Sequence, residues 1–275
     1  MVPEVGASPK ILGIVNITVD SFSDGGRYLT PETAISHAHM LARNGASILD
    51  LGAAASNPDA EPVAPAVEIA RLAPVVDALN KVGLAISIDS FAPEVQRWAL
   101  ERSVDYLNDI HGFPDPALYP ALADAETGLI VMHSIQQRGR ATRADIAPGG
   151  IFDRILRFFE DRIAALERAG VARSRLILDP GMGFFLSNWP DASFAVLRRL
   201  PELKSAFGLP VLISVSRKSF LRKITGRAPA EAGPATLAAE LFAVYQGADY
   251  IRTHEPAALA DALAVWKAAT GRNTE

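Results

Sequence analysis

Short apolar runs alternate with longer amphipathic stretches along the chain, and nearly every apolar run ends in a polar residue. A run of four to eight apolar residues bounded by turn signals predicts a buried strand, whereas recurrence at three and four residues predicts a helix. The predicted strands are 11–16 (ILGIVN), 47–51 (SILDL), 85–88 (AISI) before Asp89, and Tyr106-Leu107 leading to Asn108-Asp109. They continue with 129–132 (LIVM) before His133, 176–178 before Asp179-Pro180-Gly181, 211–215 before Ser216-Arg217-Lys218, and 248–251 before Arg252 and His254. Between them, Thr30-Pro31-Glu32 opens a helix as N-cap and first-turn residues do, and Asn44-Gly45 closes it. Further helices are predicted over 66–80, 93–102, 115–125, 152–169, 191–207, 219–224, 233–246 and 257–269.

Eight strands alternating with about as many helices predict βαβ units and a parallel sheet, α/β in class. The closed solution is a single (β/α)8 TIM barrel spanning residues 1–275 as one domain. An open doubly wound sheet is the runner-up, and no GxGxxG follows any strand to favour it. In a barrel the ligand site forms at the C-terminal ends of the strands. Those ends carry Asn16, Asp50, Asp89, Asn108, His133, Asp179, Lys218, Arg252 and His254.

Composition narrows the chemistry. With 49% hydrophobic and 21% charged residues the chain has ample material for a core, and its net charge of -4 argues against nucleic acid as a partner. The absence of cysteine excludes disulfides, thiolate metal sites and a thiol nucleophile. No apolar run reaches the length of a membrane span, and 1–10 lack the pattern of a secretory signal, so a cytoplasmic location is expected.

An Asp or Asn after a strand is most simply a helix cap. Eight polar strand ends on one rim are less easily explained that way. Asp89 and Asp179 close apolar strands, where an unpaired carboxylate would be costly. Together with an Asn amide they suit a flat, nitrogen-rich heterocycle that donates from amino and ring N–H groups. Lys218, Arg252 and His254 form a cationic group suited to phosphate or carboxylate. Asn16 with Asp20 and Asp24 offers hard oxygens for Mg2+, which spacing alone does not establish.

With these residues in place, the sequence resembles the dihydropteroate synthases. ILGIVNITVDSFSDGG, ISIDS, LNDI, LDPGMGF, SRKSF and RTH occur in that family's order over nearly the whole chain. The resemblance implies a barrel that joins 6-hydroxymethyl-7,8-dihydropterin diphosphate to 4-aminobenzoate and releases pyrophosphate with Mg2+ present. It implies that Asp89, Asn108 and Asp179 hold the pterin with Lys218 beside the ring, making Lys218, Asp89 and Asp179 the catalytic set. Asn16, Arg252 and His254 would take the diphosphate, with Asn16 also placing the metal. Ser56, Phe184, Phe185, Lys218 and Ser219 would border the aminobenzoate. The resemblance also suggests a homodimer.

Two loops depart from the family pattern. After the second strand, where the family reads roughly GGESTRPGA, this chain reads GAAASNPDA over 52–60, so an expected arginine is gone. After DPGxGF, Phe185-Leu186 replaces the usual Gly-Lys. Both departures resemble the acquired sulfonamide-insensitive synthases, and a second phenylalanine is expected to clash with the ring substituent of a sulfonamide. The competing readings are a pterin-binding methyltransferase barrel and a non-catalytic binding homologue.

Overall fold

The structure is a computed structural model that describes residues 8–18, 30–136 and 139–270. Eight parallel strands form one sheet in the order β6-β5-β4-β3-β2-β1-β8-β7. They are β1 (Lys10–Asn16), β2 (Ile48–Gly52), β3 (Ile86–Asp89), β4 (Tyr106–Asp109), β5 (Gly128–Met132), β6 (Leu176–Asp179), β7 (Leu212–Ile213) and β8 (Tyr250–Thr253). A single parallel bridge between Leu178 and Val211 closes the ring, with the Leu178 N–H donating to the Pro210 carbonyl at 2.9 Å. The expected TIM barrel is therefore present.

The helices α1 (Pro31–Arg43), α2 (Pro65–Asn80), α3 (Pro93–Leu100), α4 (Tyr119–Asp124) and α5 (Ile151–Arg168) follow the first five strands. After β6 come α6 (Pro190–Arg198) and α7 (Leu200–Phe207), after β7 come α8 (Ser219–Thr225) and α9 (Gly233–Tyr245), and α10 (Pro256–Thr270) follows β8. The helix expected over 191–207 is thus broken at Arg199. Pro201 lacks the N–H that a continuous helix would use, and its ring would clash with the carbonyl four residues back, at Leu197, so it is accommodated only in the first turn of a new helix.

Alternation along each strand sorts side chains to the two faces of the barrel wall. On β1, Ile11 and Val15 belong to the large core between sheet and helices, whereas Leu12 packs inside the barrel with Ile48, Ile130, Ile177 and Leu212. That inner cluster is a dry floor. Two and four residues further along the same strands the inward positions become Ile14 and Asn16 on β1, and Asp50 and Gly52 on β2. The register carries the polar row onward: Asn16 is the partner of Gly52, Gly52 of Asp89, and Asp89 of Asn108. An apolar floor beneath a polar mouth follows from a two-residue step along strands that all run the same way.

Candidate active site

A cavity of about 420 Å³ opens at this mouth. Asn16, Asp89, Lys218, Arg252 and His254 all line it, and so do Ser56, Phe184, Phe185 and Ser219. Residues from three strand ends, of β1, β3 and β8, and from the segments after β2, β6, β7 and β8 therefore meet in one place. Asn108 and Asp179 differ: both are buried and neither lies on the cavity wall. Asn108 is the strand neighbour of Asp89, and Asp179 lies in the electrostatic reach of Lys218.

Arg252 organises the acidic side. Its Nε donates to Asp50 Oδ2, and its Nη2 donates to Asp89 Oδ2 at 2.6 Å. Burial works against the guanidinium charge, but the carboxylates of Asp50 and Asp89 outweigh it and push the Arg252 pKa up. Burial raises the Asp89 pKa to about 7, against the pull of Arg252. Asp179 is raised by burial as well, opposed by Lys218. Lys218 is lowered to about 8 because burial disfavours its charge more than Asp179 restores it. Asp89 and Lys218 thus both sit close to their protonation midpoints near neutral pH.

Several inward polar atoms have no hydrogen-bond partner among the described residues: Asp50 Oδ1, Ser87 Oγ and Asn108 Oδ1. Buried acceptors are normally satisfied, so a cluster of orphaned ones beneath a cavity marks a place where donors arrive with a ligand.

The loop after β7 supplies two of the cations, Arg217 and Lys218. Arg217 has a left-handed backbone (φ 58°), unusual for a residue with a side chain, and is held there from both ends. Its N–H donates to Thr236 Oγ1 at 3.0 Å, and its Nη2 donates to Glu255 Oε1 at 2.9 Å. The turn brings its neighbours Ser216 and Lys218 to the cavity wall together. Ser216 Oγ shares a hydrogen bond with His254 Nδ1 at 2.9 Å and accepts the His254 N–H at 3.2 Å, which fixes the imidazole.

Lys218 Nζ donates to the Met182 carbonyl at 3.3 Å and stands 5.1 Å from the ring centre of Phe185. The turn that carries Phe184 and Phe185 depends on Gly181, whose φ is +74° and whose added Cβ would lie 2.4 Å from the His133 carbonyl. Asp179 Oδ1 accepts the Gly181 N–H at 2.8 Å, so the carboxylate also shapes this turn.

His133, one of the polar strand ends, is not in the cavity. It is buried, pairs through Nδ1 with the Pro180 carbonyl at 3.2 Å, and packs edge-on against Phe158. Burial pushes its pKa down to about 4, so it is a neutral structural residue. Asp20 and Asp24 lie outside the described residues, and no group of three or more His, Asp or Glu suited to a metal occurs among the described ones. The structure adds wall residues that sequence reasoning did not single out: Met182, Arg143 and Arg222. Arg143, from the loop after β5, pairs with Asp59 of the loop after β2 and lies 5.7 Å from the centre of the Phe184 ring. No local motif marks such a contact between loops.

The barrel and the polar, orphan-rich mouth define a binding enzyme for a flat polar heterocycle, and the family described as pterin binding enzyme matches residues 12–254. Dihydropteroate synthase type-2 of Escherichia coli is 59% identical over 255 residues, covering 93% of this chain and 94% of the relative. Dihydropteroate synthase type-3 of Escherichia coli is 53% identical over 259 residues, covering 94% and 98%. The solved structure of Xanthomonas albilineans dihydropteroate synthase with 4-aminobenzoic acid superposes with a TM-score of 0.86 at 36% identity, covering 97% of this chain and 95% of that one. The chain belongs to the dihydropteroate synthase family.

Proposed function

We propose that this chain condenses 6-hydroxymethyl-7,8-dihydropterin diphosphate with 4-aminobenzoate to give 7,8-dihydropteroate and pyrophosphate in folate biosynthesis. The observation that carries the reading is the set of orphaned acceptors, Asp50 Oδ1 and Asn108 Oδ1, beneath a mouth whose other flank is cationic. In this reading Asp89, Asn108 and Asp179 accept the amino and ring N–H groups of the pterin, and Lys218 lies beside its ring. With Nε and Nη2 of Arg252 committed to carboxylates, its remaining N–H groups and His254 face the diphosphate.

The C–O bond to the diphosphate breaks with its electron pair leaving on pyrophosphate. The resulting pterin methylene cation is taken by the arylamine nitrogen, which forms the C–N bond and gives up a proton. The protein works electrostatically: cations stabilise the leaving group, and the carboxylates favour the positive charge that develops on the pterin. No protein nucleophile takes part.

Asn16 lines the cavity in register with Gly52 and Asp89, and an added Cβ at Gly52 would approach Asn16 Oδ1 at 3.9 Å. One neutral oxygen at the mouth fits Mg2+, which is commonly held by few protein oxygens together with substrate phosphates. When bound it would neutralise charge on the departing pyrophosphate.

Reduced sulfonamide sensitivity belongs to the same reading, supported by the place of Phe185 on the cavity wall against Lys218. So does a homodimer, for which Phe242 of α9 and Val265 and Trp266 of α10 offer exposed apolar surface on adjacent helices. A cytoplasmic location belongs to the same reading, supported by the lack of a secretory-signal pattern over 1–10, and no helix among the described residues is long and apolar enough to cross a membrane.

The test is pyrophosphate release by micromolar protein with both substrates and Mg2+, repeated with excess chelator. Release that needs both substrates supports the synthase, and none at all supports the binding homologue. Undiminished release in chelator removes the metal.

A further inference from the structure

Five cationic side chains line the cavity, and four of them face carboxylates. Arg143 pairs with Asp59, Arg217 with Glu255, Arg252 with Asp50 and Asp89, and Lys218 lies in the field of Asp179. Arg222, on α8, is the exception. It makes no ion pair among the described residues, and its Nε is buried without a hydrogen-bond partner.

A buried guanidinium N–H with nothing to donate to is costly, and the cost is removed only when an acceptor arrives. Ser219 stands three residues earlier on the same helix, so the two side chains share one face, and both line the cavity. That face packs on the phenylalanine turn: a Cβ added at Gly183 would lie 3.4 Å from Ser219 Oγ. Arg252 and His254, by contrast, come from the end of β8 and are tied to the carboxylates of β2 and β3 and to Ser216. The mouth therefore holds two separate cationic places, one compensated and one not.

We propose that Arg222 binds the carboxylate of 4-aminobenzoate, with Ser219 beside it, and so selects an aromatic acid over a neutral arylamine. The assignment rests on the condensation described above. A guanidinium offers a planar fork that matches a carboxylate, and such charge-assisted pairs are the stronger class of hydrogen bond. The diphosphate keeps its own place at Arg252 and His254, so the two anionic substrates do not compete for one cation.

The experiment is steady-state pyrophosphate release by the full chain and by Arg222→Gln and Arg222→Lys, with 4-aminobenzoate and with 4-aminobenzamide as acceptors. Arg222→Gln should raise the KM for 4-aminobenzoate about tenfold and bring the acid-to-amide preference close to one. The KM for the pterin diphosphate should stay within about twofold, and Arg222→Lys should restore part of the preference. An unchanged acid-to-amide ratio in Arg222→Gln, or a rise confined to the pterin diphosphate KM, overturns the assignment. If Arg222→Gln does not fold, Arg222→Lys decides: a ratio equal to that of the unsubstituted chain overturns it, and an intermediate one supports it. If the unsubstituted chain releases pyrophosphate with neither acceptor, the condensation itself fails and the assignment falls with it.

Discussion

Arg252 donates through Nη2 to Asp89 Oδ2 at 2.6 Å, tying the last strand of the barrel to the third across its mouth. With Asp50 on the other branch of the guanidinium, one cation holds a buried carboxylate and a partly buried one in place. Breaking a buried pair by removing one partner leaves an uncompensated charge, whereas replacing the whole set by apolar residues is often neutral. Arg252→Met should therefore lower the unfolding free energy by about 3 kcal/mol in a urea titration. The triple substitution Arg252→Met, Asp50→Leu, Asp89→Leu should recover most of that stability with pyrophosphate release still lost. Equal stability of Arg252→Met and the unsubstituted chain would show that the pair is not held as described.

The same pair sets a pH dependence. Asp89 must be a carboxylate to accept pterin N–H groups, and its pKa of about 7 places loss of activity below that value. Lys218, lowered to about 8, loses its charge above that value. The profile of kcat/KM for the pterin diphosphate should be a narrow bell with limbs near those two values, belonging to the coupled set rather than to single residues. Asp89→Asn should abolish the acid limb. A flat profile between pH 6 and 9 would refute this.

Phe185 faces Lys218 across 5.1 Å and lines the cavity, where its ring takes space that a glycine would leave open. Its carbonyl accepts the Ile135 N–H at 3.0 Å, a bond that a glycine would keep. Phe185→Gly should tighten sulfonamide inhibition about tenfold, equivalent to ~1.4 kcal/mol, while the KM for 4-aminobenzoate changes less. Inhibition constants measured against both proteins decide it, and unchanged sulfonamide inhibition removes the steric clash.

Behind the site, Glu240 on α9 is buried, bonds through its side chain to Thr253, and has an Oε1 without a partner among the described residues. Burial raises its pKa to about 8, whereas the unfolded chain holds an ordinary glutamate. The folded state therefore binds the extra proton between those two values. The stability that Glu240 contributes is fully present below about pH 4.5 and is lost as pH rises through about 8. Glu240→Gln should match the unsubstituted chain near pH 4 and exceed it at pH 8.5 in denaturant titrations. A difference independent of pH would mean that Glu240 is charged in the fold.

Much of this protein was written locally. The period of apolar residues gave eight strands and their helices, and the polar residue closing each strand gave the rim, because parallel strands that all enter one barrel must all end on the same side. Asp89, Lys218, Arg252 and His254 were legible for that reason. What the residues face was decided by the closed sheet. His133 ends a strand like the others yet packs away from the cavity against Phe158, and Arg252 meets Asp50 and Asp89 only because curvature carries β8 across from β2 and β3. The break at Arg199 depended on whether Pro201 would end a helix or sit inside one, as Pro74 does in α2. Arg143 and Arg222 carry no local pattern at all, since a side chain that reaches a cavity from a loop or a second helix turn is placed by packing between segments distant in the chain. Periodicity records which way a residue points from its own backbone, and only tertiary structure supplies the groups it meets there.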